Sequence, residues 1–299
     1  MHQANFLIIA YNKPTLLKNL LEKISRIDNS SVYIHLDGSD AISKDFHNNL
    51  ACKEIIHSFL LKHPKWQFKT SEKNLGGKYG VISAINWFFN YVSEGFIIEE
   101  DIDFSPGILE FVNNYKDNLI RPDFFALCFF NPLVGLQDNI LLNHWLPWGW
   151  YTSRDKWDFI KKDVINDIFV YRNRENVVSR RYAVRFYLNS IIQKVKNGKV
   201  KTWDAQVHAA VINYKFLCLF PSFTLTQHLG IGEGATHADE INWWEHLKIN
   251  DYSISQTIAI GDNYNRKFEK IWRMSLSAIF SNFIFHIFFL VKDSNYKND

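Results

Sequence analysis

A chain of 299 residues with 47% apolar side chains can bury a large core, and that composition excludes a disordered chain. A formal net charge of +3 is too small to organise the protein around nucleic acid, so no nucleic-acid partner is expected. Cys52, Cys128 and Cys218 are odd in number and far apart, which excludes a disulfide framework or a zinc site built from them; they read as buried thiols in a reducing compartment.

The first residues run straight into ANFLIIAY, without a charged leader or cleavage site, so a cytoplasmic protein is expected. Phe6–Ala10 is a buried-strand run, and Pro14 then opens a helix with Leu16, Leu17, Leu20, Leu21 and Ile24 at helical spacing. Val32–Leu36 is the next strand and ends at Asp37-Gly38. A short strand around Trp66–Lys69 leads into Asn74-Leu-Gly-Gly77, after which Val81, Ile82, Ile85, Phe88, Phe89 and Val92 mark another helix. Phe96–Ile98 is the fourth strand.

Strands alternating with helices of this length predict an α/β fold with a doubly wound, mostly parallel sheet. Ligands of such sheets collect beyond the carboxyl ends of the strands. Four strand ends here are polar: Asn12-Lys13, Asp37-Gly38, Asn74 to Lys78, and Glu99 to Asp103. They should face one crevice.

The pattern changes after residue 120. Phe124–Phe130 is a further strand, Trp145-Leu-Pro-Trp-Gly-Trp-Tyr151 is an aromatic turn, and a helix follows near Ser153–Asp163. A basic helical stretch runs from about Val178 to Lys196 and stops at Gly198. Thr202-Trp-Asp204, a helix to about Asn213, a strand at Phe216–Phe220 and a glycine-rich loop from Thr226 to His237 complete this half. No linker-like boundary interrupts it.

The stretch GFIIEEDIDFSP at 95–106 carries four carboxylates within five positions, directly after an apolar run. Such a cluster is self-repelling unless a cation or a chemical task holds it together. Hard divalent cations, Mn²⁺ or Mg²⁺, take carboxylate oxygens and fill their remaining sites with water and substrate phosphates, so one or two carboxylates suffice. Alternation along an extended strand end would turn Glu99, Asp101 and Asp103 the same way. The competing reading is a solvated acidic loop.

Asp204 precedes a helix and follows Trp203, which suits either a helix N-cap or a carboxylate base raised in basicity by apolar surroundings. Trp148 and Trp150, in the aromatic turn, suit either a platform for the C–H face of a sugar ring or the core. Lys13 and Lys78, at strand ends, are candidates for phosphate contact. Glycines 230, 232 and 234, flanked by His228 and His237, give a backbone suited to a lid that closes and excludes water.

In order and context these pieces resemble the GT-A glycosyltransferases, particularly the inverting N-acetylglucosaminyltransferase I type and its bacterial relatives, over roughly residues 4–240. Ile97-Ile-Glu-Glu-Asp-Ile-Asp-Phe-Ser-Pro106 resembles the acidic metal-binding motif of that family. Ile8 to Pro14 is similar to its first strand and donor loop, Val32 to Gly38 to its second strand, Leu75 to Gly80 to a helix start near the nucleotide, and Trp203-Asp204 to its Trp-Asp pair.

The resemblance implies a GT-A fold in one domain, 1–265, with a nucleotide-sugar half at 1–120 and an acceptor-side half at 121–265. It implies Asp101 as the ligand of Mn²⁺ or Mg²⁺ and Asp204 as the general base. Tyr11, Lys13, Asp37, Lys78, Glu99 and Glu100 would contact the donor, and Trp148, Trp150, Trp203 and His237 would serve the acceptor or the lid. His237 stands between a further metal ligand and a plain loop histidine. The implied reaction moves a sugar, with inversion, from a nucleoside-diphosphate donor, a UDP-sugar first, to a glycan or lipid-linked glycan acceptor. A sugar nucleotidyltransferase is a weaker expectation because Asn12-Lys-Pro14 lacks the glycine run that would follow the first strand. A non-catalytic glycan-binding protein on the same fold is the other.

Residues 266–299 are expected to form a C-terminal helical segment. Within it SAIFSNFIFHIFFLV, at 277–291, is shorter than the ~20 apolar residues that span a bilayer. With basic residues on both sides it suits a helix lying on the inner face of the cytoplasmic membrane, or else a buried closing helix.

Overall fold

The computed structural model describes residues 3–133, 135–170, 182–230, 247–249 and 256–271. Strand β1 (Ala4–Ala10) is followed by α1 (Pro14–Ile24), whose proline supplies the preset φ of a first helical turn and whose Leu17, Leu20, Leu21 and Ile24 form one buried stripe. Next come β2 (Ser30–Leu36), α2 (Phe46–Lys62), β3 (Gln67–Thr70), α3 (Gly76–Phe88) and β4 (Glu94–Glu99). A short β5 (Ile102–Phe104) and α4 (Gly107–Tyr115) end the first half.

The second half holds β6 (Phe124–Cys128), β7 (Asn139–Leu142), β8 (Trp150–Ser153), α5 (Arg154–Ile165), α6 (Tyr182–Lys196) and α7 (Asp204–Asn213). After them come β9 (Leu217–Phe220), β10 (Thr226–His228), β11 (Ile258–Ile260) and α8 (Asp262–Ile271).

Among the described residues, nine strands make one sheet in the order β11-β7-β9-β6-β8-β4-β1-β2-β3, and β5 pairs with β10 beside it. The strands β4, β1, β2 and β3 are parallel, as are the pairs β6–β9 and β7–β11; β8 runs against both β4 and β6, and β7 against β9. The sheet is therefore mixed but mostly parallel.

Side chains alternate across the strands and divide the core into two layers. Phe6, Ile8, Phe96 and Ile98 face the layer filled by α1, α2 and α4, together with Cys52. Leu7, Ile9 and Ile97 face the layer filled by α3, α5, α7 and α8, together with Cys128 and Cys218. Helices on both faces make the sheet doubly wound, as the alternating pattern predicted.

Two expectations are corrected. The aromatic turn ends two residues early, because Trp150 and Tyr151 begin β8 and pair with Ile97 and Phe96 of β4. The C-terminal helix starts before residue 266, at Asp262, and Phe268 anchors it in the core against the rings of His144 and Phe220, at 4.8 Å and 5.7 Å between centroids. Residues 277–291 lie outside the described residues. No helix among the described residues is long and apolar enough to cross a membrane.

Candidate functional site at the carboxyl edge of the sheet

The four polar strand ends meet, and backbone hydrogen bonds tie them together. The Asp37 N–H donates to the Ala10 carbonyl at 3.0 Å, and the Glu100 N–H donates to the Ile9 carbonyl at 2.9 Å. The Asn49 amide, from α2, donates to the carbonyls of both Tyr11 and Asp37, at 2.7 and 2.8 Å. Tyr11 accepts a hydrogen bond from Asn74 at 2.9 Å and donates one to Asp45 at 3.2 Å.

The acidic stretch does not stay extended, so its side chains diverge. A turn at Glu100-Asp101 separates β4 from β5. Glu100 is buried and points under the loop after β1, where one carboxylate oxygen accepts the N–H groups of Asn12 and Lys13 at 2.9 and 3.2 Å. Burial pushes its carboxyl up to about 7, against the pull of those amides. Asp103 pairs with Lys23 of α1 and accepts the Phe104 N–H, while Ser105 rather than Asp103 takes the Gly107 N–H at the start of α4. Glu99 and Asp101 are left facing the crevice.

Asp101 sits between two basic groups brought from opposite ends of the chain. One carboxylate oxygen forms an ion pair with Lys13 and lies 3.4 Å from Nε2 of His228. The β5–β10 ladder places that histidine by pairing His228 with Ile102, and the Leu229 N–H extends the ladder to the Asp101 carbonyl at 2.7 Å. Burial alone would raise the Asp101 carboxyl, but the His228 hydrogen bond and the charges of Lys13 and His228 outweigh it and hold the group below the usual carboxylate range. His228 was not among the predicted site residues, although its glycine-flanked position was visible.

The second half of the chain contributes Asp204, the first residue of α7. It accepts a hydrogen bond from the Thr202 hydroxyl. Its charge and that of Asp101 act on Glu99, whose carboxyl is pushed up first by burial and then by these two neighbours. Among the described residues no donor reaches the Glu99 carboxyl. Tyr187 of α6 also feels Asp204; burial and that charge both raise its phenol. Glu99, Asp101 and Asp204 thus form one electrostatic group, assembled from segments about a hundred residues apart.

The remaining predicted residues are distributed differently. The Asp37 carboxylate is used by the protein itself, accepting the N–H groups of Gly38 at 2.9 Å, Leu75 at 3.0 Å and Gly76 at 2.9 Å. It therefore caps the start of α3, and only glycine fits at position 80, where a Cβ would lie 2.9 Å from an Asp37 oxygen. Lys78 turns away from the acidic group and is buried against Asp167 at 2.6 Å and the Ile165 carbonyl at 2.9 Å. Trp150 and Trp203 are core residues, packed with Trp145 at centroid distances of 5.1 and 5.3 Å. Trp148 is half-buried and stacks on His228 at 5.7 Å, so of the three it alone borders the site. His237 lies outside the described residues.

Among the described residues no three His, Cys, Asp or Glu side chains are placed to hold a metal ion together. The donor set nonetheless fits a hard divalent cation attached through one carboxylate, with substrate oxygens supplying the rest of its shell. Asp101 is the residue expected to hold such a cation, and its carboxylate is paired here with Lys13 and lies beside His228.

No known family profile matches the chain, and no curated protein matches it by sequence. Similar solved structures include the mannosyltransferase PcManGT from Pyrobaculum calidifontis, in complex with GDP-Man and Mn²⁺. That structure is 12% identical, with 72% of this chain and 70% of that one covered and a TM-score of 0.40. A UDP-glucose pyrophosphorylase complexed with UDP-glucose is 9% identical, with 71% and 97% covered and a TM-score of 0.33. A glycosyltransferase involved in glycosylation of the major capsid of PBCV-1 is 12% identical, with 71% and 92% covered and a TM-score of 0.25.

Proposed function

We propose that the chain is a glycosyltransferase that moves a sugar from a nucleoside-diphosphate donor to a hydroxyl of a glycan or lipid-linked glycan, with inversion at the anomeric carbon. The observation that supports this reading is the acidic stretch at the strand ends, where Asp101 pairs with Lys13 and lies 3.4 Å from His228, with the charge of Asp204 felt at the neighbouring Glu99. The sequence resemblance assigns the acidic stretch to donor chemistry and Asp204 to acceptor chemistry, and the electrostatic coupling of both to Glu99 supports reading them as one site.

In this reading Asp101 would hold Mn²⁺ or Mg²⁺, which when bound would supply positive charge to offset that of the departing diphosphate. Lys13, already beside Asp101, adds a positive charge within reach of the same phosphates. Asp204 takes the proton of the acceptor hydroxyl as it attacks, and attack from the face opposite the leaving group inverts configuration. Glu99, which feels the charges of both aspartates, orients donor hydroxyls. Trp148 offers the exposed part of its ring to the acceptor. UDP-sugars are the first donors to try.

A transfer assay on Asp204→Asn, with a screen of UDP-, GDP-, CMP- and dTDP-sugars, tests the reading. The variant should lose transfer while donor affinity, measured by calorimetry with Mn²⁺ present, stays within about twofold. Normal turnover would remove Asp204 from the chemistry, and donor cleavage that needs pyrophosphate and no acceptor would mark a nucleotidyltransferase instead. The C-terminal segment is proposed to hold the enzyme on the inner face of the cytoplasmic membrane. An unchanged membrane fraction after deletion of residues 272–299 would sink that part.

A further inference from the structure

The start of α7 is held by a relay of polar side chains that neither the sequence pattern nor the proposed reaction accounts for. Lys78 of α3 pairs with Asp167, which sits just past α5 in a left-handed backbone conformation at φ 55°. The same Asp167 oxygen accepts from the Gln206 amide at 2.7 Å, and that amide also donates to the Thr202 carbonyl at 3.2 Å. Gln206 is fully buried and, among the described residues, its own oxygen has no partner, so the amide acts through its donors. Thr202 in turn gives its hydroxyl proton to Oδ1 of Asp204.

Two further contacts keep Thr202 from moving. A Cβ at Gly77 would lie 2.7 Å from the Lys201 carbonyl, so the bare backbone of α3 seats the residue just before it. On its other side Trp203 is wedged against Trp145 and Trp150. A buried relay of this cost needs a reason, because each unpaired polar atom in it is expensive to hide.

We infer that Thr202 is a positioning residue for Asp204: by occupying Oδ1 it fixes the carboxylate plane and leaves Oδ2 to receive the acceptor proton, and the Lys78–Asp167–Gln206 relay fixes Thr202. The inference rests on the reading of Asp204 as the base. Misplacing a reacting group by about 1 Å can cost on the order of a hundredfold in rate, so loss of the hydroxyl should appear in turnover rather than in binding.

The test compares Thr202→Val, Thr202→Ser and Asp204→Asn in one assay on the full chain, with donor KM and melting temperature measured alongside. Thr202→Val should lower kcat about ten- to a hundredfold with donor KM within twofold and the melting temperature nearly unchanged, and Thr202→Ser should restore kcat. If Asp204→Asn is inactive while Thr202→Val turns over normally, the positioning role is wrong and the base assignment stands. If the valine and serine variants fall equally, or kcat, KM and melting temperature fall together, the hydroxyl is only structural. If Asp204→Asn retains turnover, the underlying reading fails and takes this inference with it.

Discussion

Gly230 packs directly onto Asp101: a methyl group at that glycine would collide with the Asp101 carboxylate and with the Lys13 ammonium. The first residues of the glycine-rich loop therefore touch the ion pair that the donor site is proposed to use. Gly230→Ala should push the loop outward and weaken binding of a nucleoside diphosphate with Mn²⁺ about tenfold, as read by calorimetry. The melting temperature should move little because Gly230 is itself partly exposed and its neighbour Leu229 is exposed. Unchanged affinity would place this contact outside the donor site.

Asp37 is expected among the donor contacts, and its three amide partners make it a cap as well. Asp37→Ala should cost about 1–3 kcal/mol in urea unfolding, since it removes the acceptor of the buried Gly38 N–H and of the partly exposed N–H groups of Leu75 and Gly76. Asp37→Asn, which keeps an acceptor oxygen, should lose less. Full stability in the alanine variant with loss of nucleotide binding would reverse the assignment.

Lys78 and Asp167 offer a cycle. Removing one member of a buried pair leaves the other uncompensated, so Lys78→Met alone should cost about 3–5 kcal/mol. Adding Asp167→Asn should recover part of that, and the coupling is obtained from a double-mutant cycle followed by denaturation. Additive losses would show that the two groups do not depend on each other.

His35 supplies a dependence on pH. It is fully buried in β2, with Nε2 3.5 Å from the Ser71 hydroxyl and Nδ1 without a partner. Burial, with a smaller contribution from Lys69, lowers it from 6.5 to about 4. Between those values the unfolded chain binds a proton that the folded one refuses, so stability present above pH 6.5 is lost as pH falls towards 4. From pH 7 to 4.5 this group should account for about 2–3 kcal/mol. His35→Leu should flatten that part of the curve in denaturant titrations, and equal slopes for both proteins would refute the effect.

The parallel half of the sheet was legible because its strands are unbroken apolar runs and its helices carry clear stripes. Helix α2 was not, since it buries only Cys52, Ile56 and Phe59 of seventeen residues. Short strands such as β7 and β11 were hidden for want of length, and β5 with β10 because their partners lie more than a hundred residues apart. The acidic cluster was readable as a cluster. What the sequence withheld was which carboxylates the backbone consumes: nothing local marks Glu100 as turned inward or Asp37 as bonded to amides. Trp150 reads equally as a sugar platform or as core, and Trp203 is implied as an acceptor or lid residue; that both are core is decided only by packing.

The two apolar layers each contain their own sulfhydryls. Cys52 lies on the α2 side, and Cys128 and Cys218 lie together on the opposite side, all three buried while the fold is intact. A thiol-modifying reagent can therefore reach them only when the layer above has opened. Mass spectrometry of modified peptides would time the loosening of each face of the protein separately, with no label introduced.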